Sequence, residues 1–580
     1  MPAEQVPAKQ SYSPRDSESG KTLKLLSANM KRCPTCRRTF EDETLQYCRV
    51  DGALLAEDSE APTNLLRQPE QTQSTERLTK TTVRAKARSS PAKYLLFGLI
   101  VVALVVSAIV FAYRRVRVTD SSINSIAVLP FENQSRDPES EYLADGLTES
   151  IIYRLSQFPN LNVSPRSSVF HYKGKESDAL KIGNELGVAT VLSGRITQHG
   201  DQITISTELT DVRNHKLLWG EQYDRKLSEL LATQREIARE IAERLKVKFS
   251  VADPRLVNKH YTESNDAYQS YLKGRYYWNK RTRDGYNKAI EHFKAAIDKD
   301  PTFALAYTGL ADCYNILSSY GLSSPNESFP LGKAAVTRAL ELDDNLAEAH
   351  TSMAYLKYQY EWDWAGGESE FKRAIELNPN YSTAHHWYGL ALANMGRSDE
   401  AFAELKRAHD LDPLSLVIIA STGWTLFKAR RYDESIAQFQ KALDMDQNFG
   451  RAHWGISEPY ALKGAYDKAI AELQKARELD ESPSTRALLA ETYARSGQRS
   501  ESQRLLAELL QERKLKYVDA YYLAEVYAAL GDREKALRTL EEAYEERSSN
   551  IVWLKWEPKF DGLRSDPRYV DLIRRIGLSP

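Results

Sequence analysis

The sequence predicts a multidomain fold: an α-solenoid preceded by a small α/β domain, one transmembrane helix and a small zinc ribbon. Three observations predict it. From about residue 286 to residue 545 an apolar helix pattern recurs at fixed spacing, with Ala374, Ala408, Ala442 and Ala476 each 34 residues apart. That is the period of stacked helix pairs. Residues 121–250 instead alternate strand-period and helix-period segments, as an α/β layer fold does. Nearer the N-terminus lie a Cys-x-x-Cys pair and a long uncharged run. At 580 residues the chain exceeds one domain, and its net charge of -1 gives no overall basic field to attract nucleic acid. Cys33, Cys36 and Cys48 cluster while Cys313 stands alone, a distribution that argues for one small metal site and against a disulfide framework.

Residues 1–30, rich in Ser, Lys, Glu and Pro, read as a disordered leader. Residues 31–56 carry Cys33-Pro34-Thr35-Cys36 and then Cys48-Arg49-Val50-Asp51. Two thiolates two residues apart hold one side of a tetrahedral Zn²⁺, and Cys48 with Asp51 repeat the spacing. The segment resembles a bacterial zinc ribbon, with Asp51 where many members have Cys. The expected cofactor is a structural Zn²⁺ on Cys33, Cys36, Cys48 and Asp51. Residues 57–93 form a polar linker.

Residues 94–113 contain no charge and are bounded by Tyr94 and Tyr113. Twenty such residues suffice to cross a hydrocarbon core of about 30 Å. Arg77, Lys80, Arg84, Lys86, Arg88 and Lys93 precede the run, against Arg114, Arg115 and Arg117 after it. The bias predicts a single-pass protein of the bacterial inner membrane with a cytoplasmic N-terminus and periplasmic C-terminal domains.

In the α/β region, residues 125–131 read as a buried strand and 143–157 as a helix. Asp145-Gly146 reads as a capped turn into a helix beginning near Leu147. Gly200-Asp201 is a hairpin turn ahead of a strand carrying Ile203, Ile205, Thr207 and Leu209. Leu230, Ile237, Ile241 and Leu245 mark a last amphipathic helix. The runs SIAVLPFEN at 125–133, YLADGLTE at 142–149, YKGK at 172–175, IGNELG at 182–187 and LWGEQYDR at 218–225 resemble the α/β domain related to the N-terminal domain of TolB. In that family the module often joins a signalling domain, such as a class III adenylate cyclase, a Ser/Thr kinase or a winged helix, to a helical repeat array. The resemblance implies a non-catalytic module that senses a ligand or partner. Asp145, Glu149 and His171 are its candidate acid–base residues, but no nucleophile–base pattern accompanies them.

Residues 265–546 are the array, whose period and paired helices identify tetratricopeptide (TPR) repeats forming a superhelix. An insertion rich in Ser, Gly and Pro at 318–329 reads as a loop, and Gly396, Gly464, Gly497 and Gly531 as turns. His350, His385 and His453 occupy equivalent positions, read as packing sites because neighbouring repeats stand about 10 Å apart, too far to share a metal. By resemblance to TPR proteins, the concave face includes Thr383, His386, Trp424, Phe427, Arg451, Trp454, Glu458, Tyr521 and Glu525, with the two tryptophans as anchors. Trp362 and Trp364 read as a loop plug, and residues 547–580 as a capping segment.

The functional expectation is a non-catalytic, membrane-anchored scaffold that binds a protein or peptide partner on the concave TPR face, in bacterial envelope signalling or assembly. The alternatives are a transcription or signalling regulator acting through the ribbon, with Lys31, Arg32, Arg37 and Arg38 as its charges, and an enzyme in the α/β module.

Overall fold

A computed structural model describes residues 31–32, 39–40, 56–57, 124–245 and 261–579, apart from 136, 138–139, 159 and 176–177. The chain divides into two compact units, Met1–Val105 and Val106–Pro580. In the first, β1 (Lys31–Arg32) pairs antiparallel with both β2 (Thr39–Phe40) and β3 (Ala56–Glu57). β1 and β2 therefore flank residues 33–38. Cys33, Cys36, Cys48 and Asp51 themselves lie outside the described residues.

The predicted fold class is corrected at its membrane element. No helix among the described residues is long and apolar enough to cross a membrane. The longest, Pro325–Leu342, is an 18-residue amphipathic helix that carries Glu327, Lys333, Arg338 and Glu341 and contains Pro330. Residues 94–113, where the span was placed, lie outside the described residues. The single-pass inner-membrane localisation and its orientation fall with that element. What stands is a helical repeat solenoid joined to a mixed-sheet domain.

In the second unit the sheet comprises β4 (Ser125–Val128), β5 (Glu132–Asn133), β6 (Asn162–Val163), β7 (Thr190–His199), β8 (Gln202–Asp211) and β9 (Lys216–Lys226). Strand order is β6-β4-β7-β8-β9, with β5 also paired to β7. β6, β4 and β7 run parallel, which requires crossovers, and helix Glu141–Ser156 supplies the one between β5 and β6. β7, β8 and β9 form an antiparallel meander. Gly200, at φ +61°, makes the tight β7–β8 turn with Asp201, as its position between His199 and Gln202 requires. Ile203, Ile205, Thr207 and Leu209 alternate inward and are buried.

Helix Glu141–Ser156 begins earlier than the sequence suggested. Asp145-Gly146 is helical, not a capped turn into Leu147. The reason is tertiary: Leu272 of the first repeat lies 2.9 Å from where a Cβ on Gly146 would stand. A glycine inside a helix costs about 1 kcal/mol relative to alanine, and here it lets two helices meet.

The array has eight helical pairs: Asn265–Trp278 with Arg283–Lys299, Ala304–Ser319 with Pro325–Leu342, Ala347–Leu356 with Trp364–Leu377, Ser382–Asn394 with Ser398–Leu411, Leu416–Lys428 with Tyr432–Met445, Gly450–Leu462 with Tyr466–Leu479, Pro483–Arg495 with Arg499–Glu512, and Ala520–Ala529 with Arg533–Glu545. Most of the predicted 318–329 loop is helix, since Pro325 opens a helix at its first position and Phe329 is buried. Small residues let paired helices close up. A Cβ on Gly423 would stand 2.9 Å from the Phe439 ring, and one on Gly389 the same distance from Leu405. The core of the α/β domain continues into the first repeats without a break, from Ile126, Leu147 and Ile237 to Leu272, Phe293 and Phe303.

The three repeat histidines form one recurring clamp. Nδ1 of His350, His385 and His453 lies 2.6, 2.6 and 2.5 Å from Glu370, Glu404 and Glu472 of the paired helix. Nε2 of each faces the carbonyl oxygen six residues earlier, on Asp344, Pro379 and Gln447, at 3.0, 3.1 and 2.9 Å. At His350 the two acceptors favour the doubly protonated ring. Burial lowers the His350 pKa, but Glu370 and the Asp344 carbonyl outweigh it and the net shift is upward. Protonated His350 thus stabilises the fold fully below the unfolded histidine pKa, and the gain is lost as pH rises through the raised folded value. His350→Gln is expected to cost about 1–2 kcal/mol near pH 6. Thermal unfolding at stepped pH should show the difference from wild type shrinking above pH ~7.

Candidate functional site

The inner surface of the array is built from the first helices of the pairs, and the chain's own C-terminal segment covers part of it. After Arg533–Glu545 the chain forms two short 3₁₀ turns, Ile551–Trp556 and Pro558–Leu563, and the helix Pro567–Arg575. These reach back to the second to seventh repeats. Ser549 meets Ser318 and the Gln359 amide, and the Trp364 indole donates to the Ile576 carbonyl at 2.8 Å. The Trp556 indole donates to the Asn394 carbonyl at 2.8 Å. Lys428 pairs with Glu557, and Arg430 makes a two-pronged pair with Asp561 at 2.6 and 2.7 Å. Trp362 packs on Tyr544 and under Arg547, which ties both predicted plug tryptophans to this segment.

Backbone strain marks the same contacts. Five repeats place Gly321, Gly396, Gly464, Gly497 and Gly531 in left-handed conformation between their helices. The corresponding slots elsewhere hold Arg281, Trp362 and Arg430, at φ +56°, +59° and +62°. Such residues cost about 1 kcal/mol or more in this region unless the surroundings hold them. Arg430 is held by Asp561 and Trp362 by Tyr544.

The candidate concave residues divide accordingly. Glu458 and Glu525 are buried against Lys559, whose ammonium lies 2.7 and 3.0 Å from their carboxylates. Burial, with Glu557 and Glu458 close by, pushes the Glu525 pKa up despite the pull of Lys559. Tyr521 is buried edge-on to Phe560 at 5.5 Å. Phe427 is buried against Tyr432. His386 bonds Ser421 at 2.8 Å, and burial with the Arg281 charge lowers its pKa to about 3, leaving it neutral. Thr383 lies half-buried in the first turn of helix Ser382–Asn394.

Trp424, Arg451 and Trp454 come together and remain half-buried. The indoles meet edge-on at 6.0 Å, and the Arg451 guanidinium lies 4.8 Å from Trp424 and 4.2 Å from Tyr320 of the second repeat. No carboxylate pairs with Arg451 among the described residues, and both indole N–H groups lack an acceptor. With the indole N–H groups themselves buried, this patch can offer ring surface and one uncompensated positive charge to a chain lying along the groove.

The α/β domain docks on the first helix of the array and on Asp412, at the end of the fourth repeat. Glu149 accepts from Arg275 Nε at 2.6 Å and from Asn279 at 3.0 Å, with Arg166 at 3.2 Å. Burial works against its charge, but Arg275 and Arg166 prevail and its pKa is lowered. Asp145 lies between Lys173 and Arg166, and His171 is exposed beside Lys175 at 3.0 Å. The two candidate acids are thus ion-pair partners, Glu149 across the junction and Asp145 within its own domain, and His171 enters no ion pair among the described residues. Ser168 donates to Asp412 at 3.0 Å, joined there by Ser167. Sequence reasoning missed Arg275, Lys559, the buried acid Asp312 and the half-buried Glu348. The available signal was charge on an otherwise apolar helix face, as in Leu346-Ala347-Glu348-Ala349.

Comparisons with known proteins agree with this division. A family model described as HilA/YgeH-like transcriptional regulator, second domain, matches residues 121–242. Tetratricopeptide-repeat models match 370–403, 421–484 and 520–542, so the array consists of TPR repeats. Over 286 residues, 48% of this chain and 41% of the relative, it is 31% identical to the protein of Rhizobium meliloti (strain 1021) named "Putative adenylate cyclase 3". Over 285 residues, 48% of this chain and 49% of the relative, it is 24% identical to the transcriptional regulator HilA of Salmonella paratyphi A. The chain spans less than half the length of both relatives. Among solved structures, yeast Tom70 aligns at 17% identity over 75% of this chain and 85% of its own, with a TM-score of 0.36.

Proposed function

We propose that the protein is a non-catalytic regulatory scaffold whose TPR array takes an extended segment of a partner protein at Trp424, Arg451 and Trp454. The observation that carries this reading is the uncompensated Arg451 guanidinium between aromatic rings, on a surface already shaped to hold chain. An extended segment with a carboxylate near an apolar side chain complements it, the carboxylate pairing with the guanidinium and the apolar group covering the indoles. Thr383, His386, Phe427, Glu458, Tyr521 and Glu525 would then shape the groove from behind.

The regulatory half of the proposal is supported by the relatives. A transcriptional regulator and a protein named as a cyclase each align with about half of this chain. The TolB-like kinship of residues 123–248 belongs to the same proposal, as a coupling module between array and output. We further propose that Cys33, Cys36, Cys48 and Asp51 hold a structural Zn²⁺, supported by the paired strands β1 and β2 on either side of the first thiolate pair. Metal analysis of the purified full chain should give one zinc per molecule, lost in Cys33→Ser; a zinc-free wild type would refute it.

Site-specific photo-crosslinking in cells tests the scaffold reading. A benzophenone amino acid at Trp424 should yield a discrete protein adduct that Arg451→Glu reduces about tenfold, the equivalent of ~1.4 kcal/mol. The same probe at Leu479, exposed on the second helix of its pair, is the control. Identical adducts at both positions, unaffected by Arg451→Glu, would contradict it.

A further inference from the structure

Where the α/β domain meets the first repeats, the structure encloses a cavity of about 110 Å³. Helices Glu141–Ser156 and Leu230–Arg244 form one side and the first four repeats the other. Its walls are aromatic, with Tyr153, Tyr261, Tyr268, Tyr271 and Tyr381 all lining it.

Besides Glu149, two acids line it, and neither of these has a cation among the described residues. Asp312, 6% exposed, accepts a hydrogen bond from Ser352, and Glu348 accepts one from the Tyr153 hydroxyl at 3.4 Å. Among the described residues no Lys, Arg or His forms an ion pair with either carboxyl. The wall's nearby guanidinium, Arg275, is committed to Glu149 at 2.6 Å, while Arg154 lies 5.7 Å from the Tyr261 ring centre. Burial raises Asp312 to about 6 and Glu348 to about 7, each opposed by Arg275, as expected of carboxyls removed from water without a counter-ion.

One donor is also unused. Gln234 is 1% exposed and lines the cavity; its Oε1 faces the Tyr268 hydroxyl at 3.5 Å, and its Nε2 has no acceptor. A buried N–H left unpaired costs about 1–3 kcal/mol. An occupant that satisfies all of these groups carries a positive charge toward Asp312 and Glu348, small apolar substituents against the tyrosine faces, and an oxygen toward Gln234. Ring faces attract ammonium ions, the more so away from water.

We propose that this junction is a binding site for a small organic ammonium ion bearing a hydroxyl or carbonyl oxygen, an amino alcohol in its simplest form. The inference is independent of the partner reading above: it assigns a ligand to the domain junction, and either can fail alone. Because the occupant would touch the α/β domain and the array together, its binding free energy would tighten their contact, which is how a regulatory module can report a ligand.

Calorimetric titration of the full chain with choline, ethanolamine and the uncharged choline isostere in which carbon replaces nitrogen tests it. Saturable one-to-one binding of at least one ammonium probe is expected, with none by the uncharged isostere. The double variant Asp312→Asn, Glu348→Gln keeps the cavity's shape and should weaken the ammonium probe by about tenfold or more. Absence of saturable heat with both ammonium probes at millimolar concentration would overturn the proposal, as would equal binding of the isostere. Wild-type protein alone decides those two outcomes. Unchanged ammonium affinity in a folded double variant would also overturn it.

Discussion

Glu149 lies between two guanidinium groups, Arg166 from its own domain and Arg275 from the first repeat, with Asn279 completing its hydrogen bonds. The docking of the α/β domain on the first repeat is set at that meeting of charges. A buried ion pair is weak evidence for net stability, because desolvation offsets the attraction, but removing one partner strands the others at a cost of about 3–5 kcal/mol. Here the pair sits beside the contact of Leu272 with Gly146, so charge and shape specify the same docking. The apolar core then runs from sheet to solenoid through Ile126, Leu147, Leu272 and Phe293. The junction cavity exists because those two surfaces meet around it.

At the other end, the solenoid limits its own groove. Lys559 carries one positive charge to two buried glutamates, and Arg430 accepts a left-handed backbone to reach Asp561. The C-terminal segment thereby covers Glu458, Tyr521 and Glu525 and leaves Trp424, Arg451 and Trp454 half-buried on the inner surface. A terminal helix with a polar outer face explains solubility at the end of a solenoid. It does not explain contacts reaching back to Ser318 and Asn394, which instead close the array on itself.

Local periodicity made most of the elements legible. The 34-residue spacing gave eight helical pairs, and the alternation of Ile203, Ile205, Thr207 and Leu209 gave a strand in the right place. The repeat histidines were rightly placed as packing positions, although their Glu partners depend on the neighbouring helix and carry no local pattern. The ordered motifs at 125–225 pointed to a module shared among signalling proteins, and a HilA-type regulator and a protein named as a cyclase are among the relatives. Hydropathy counting was the step that misled, since it built fold class and localisation on residues 94–113. Long-range closure was not legible: nothing near Asp561 announces Arg430, and nothing near Asp145-Gly146 announces Leu272. Contacts of that kind are set by how turns stack, which single-chain periodicity does not encode.

The central claim is that α/β domain and repeat array form one cooperative body held at Glu149 and Arg275. Native-state hydrogen exchange of the full chain, followed against denaturant, tests it most directly. Amides of β7–β9 and of helix Ala304–Ser319 should open with the same free energy in the wild type, and Glu149→Gln should separate them, with the strands opening first. Strands that already open independently in the wild type, at a free energy that Glu149→Gln leaves unchanged, would contradict the account.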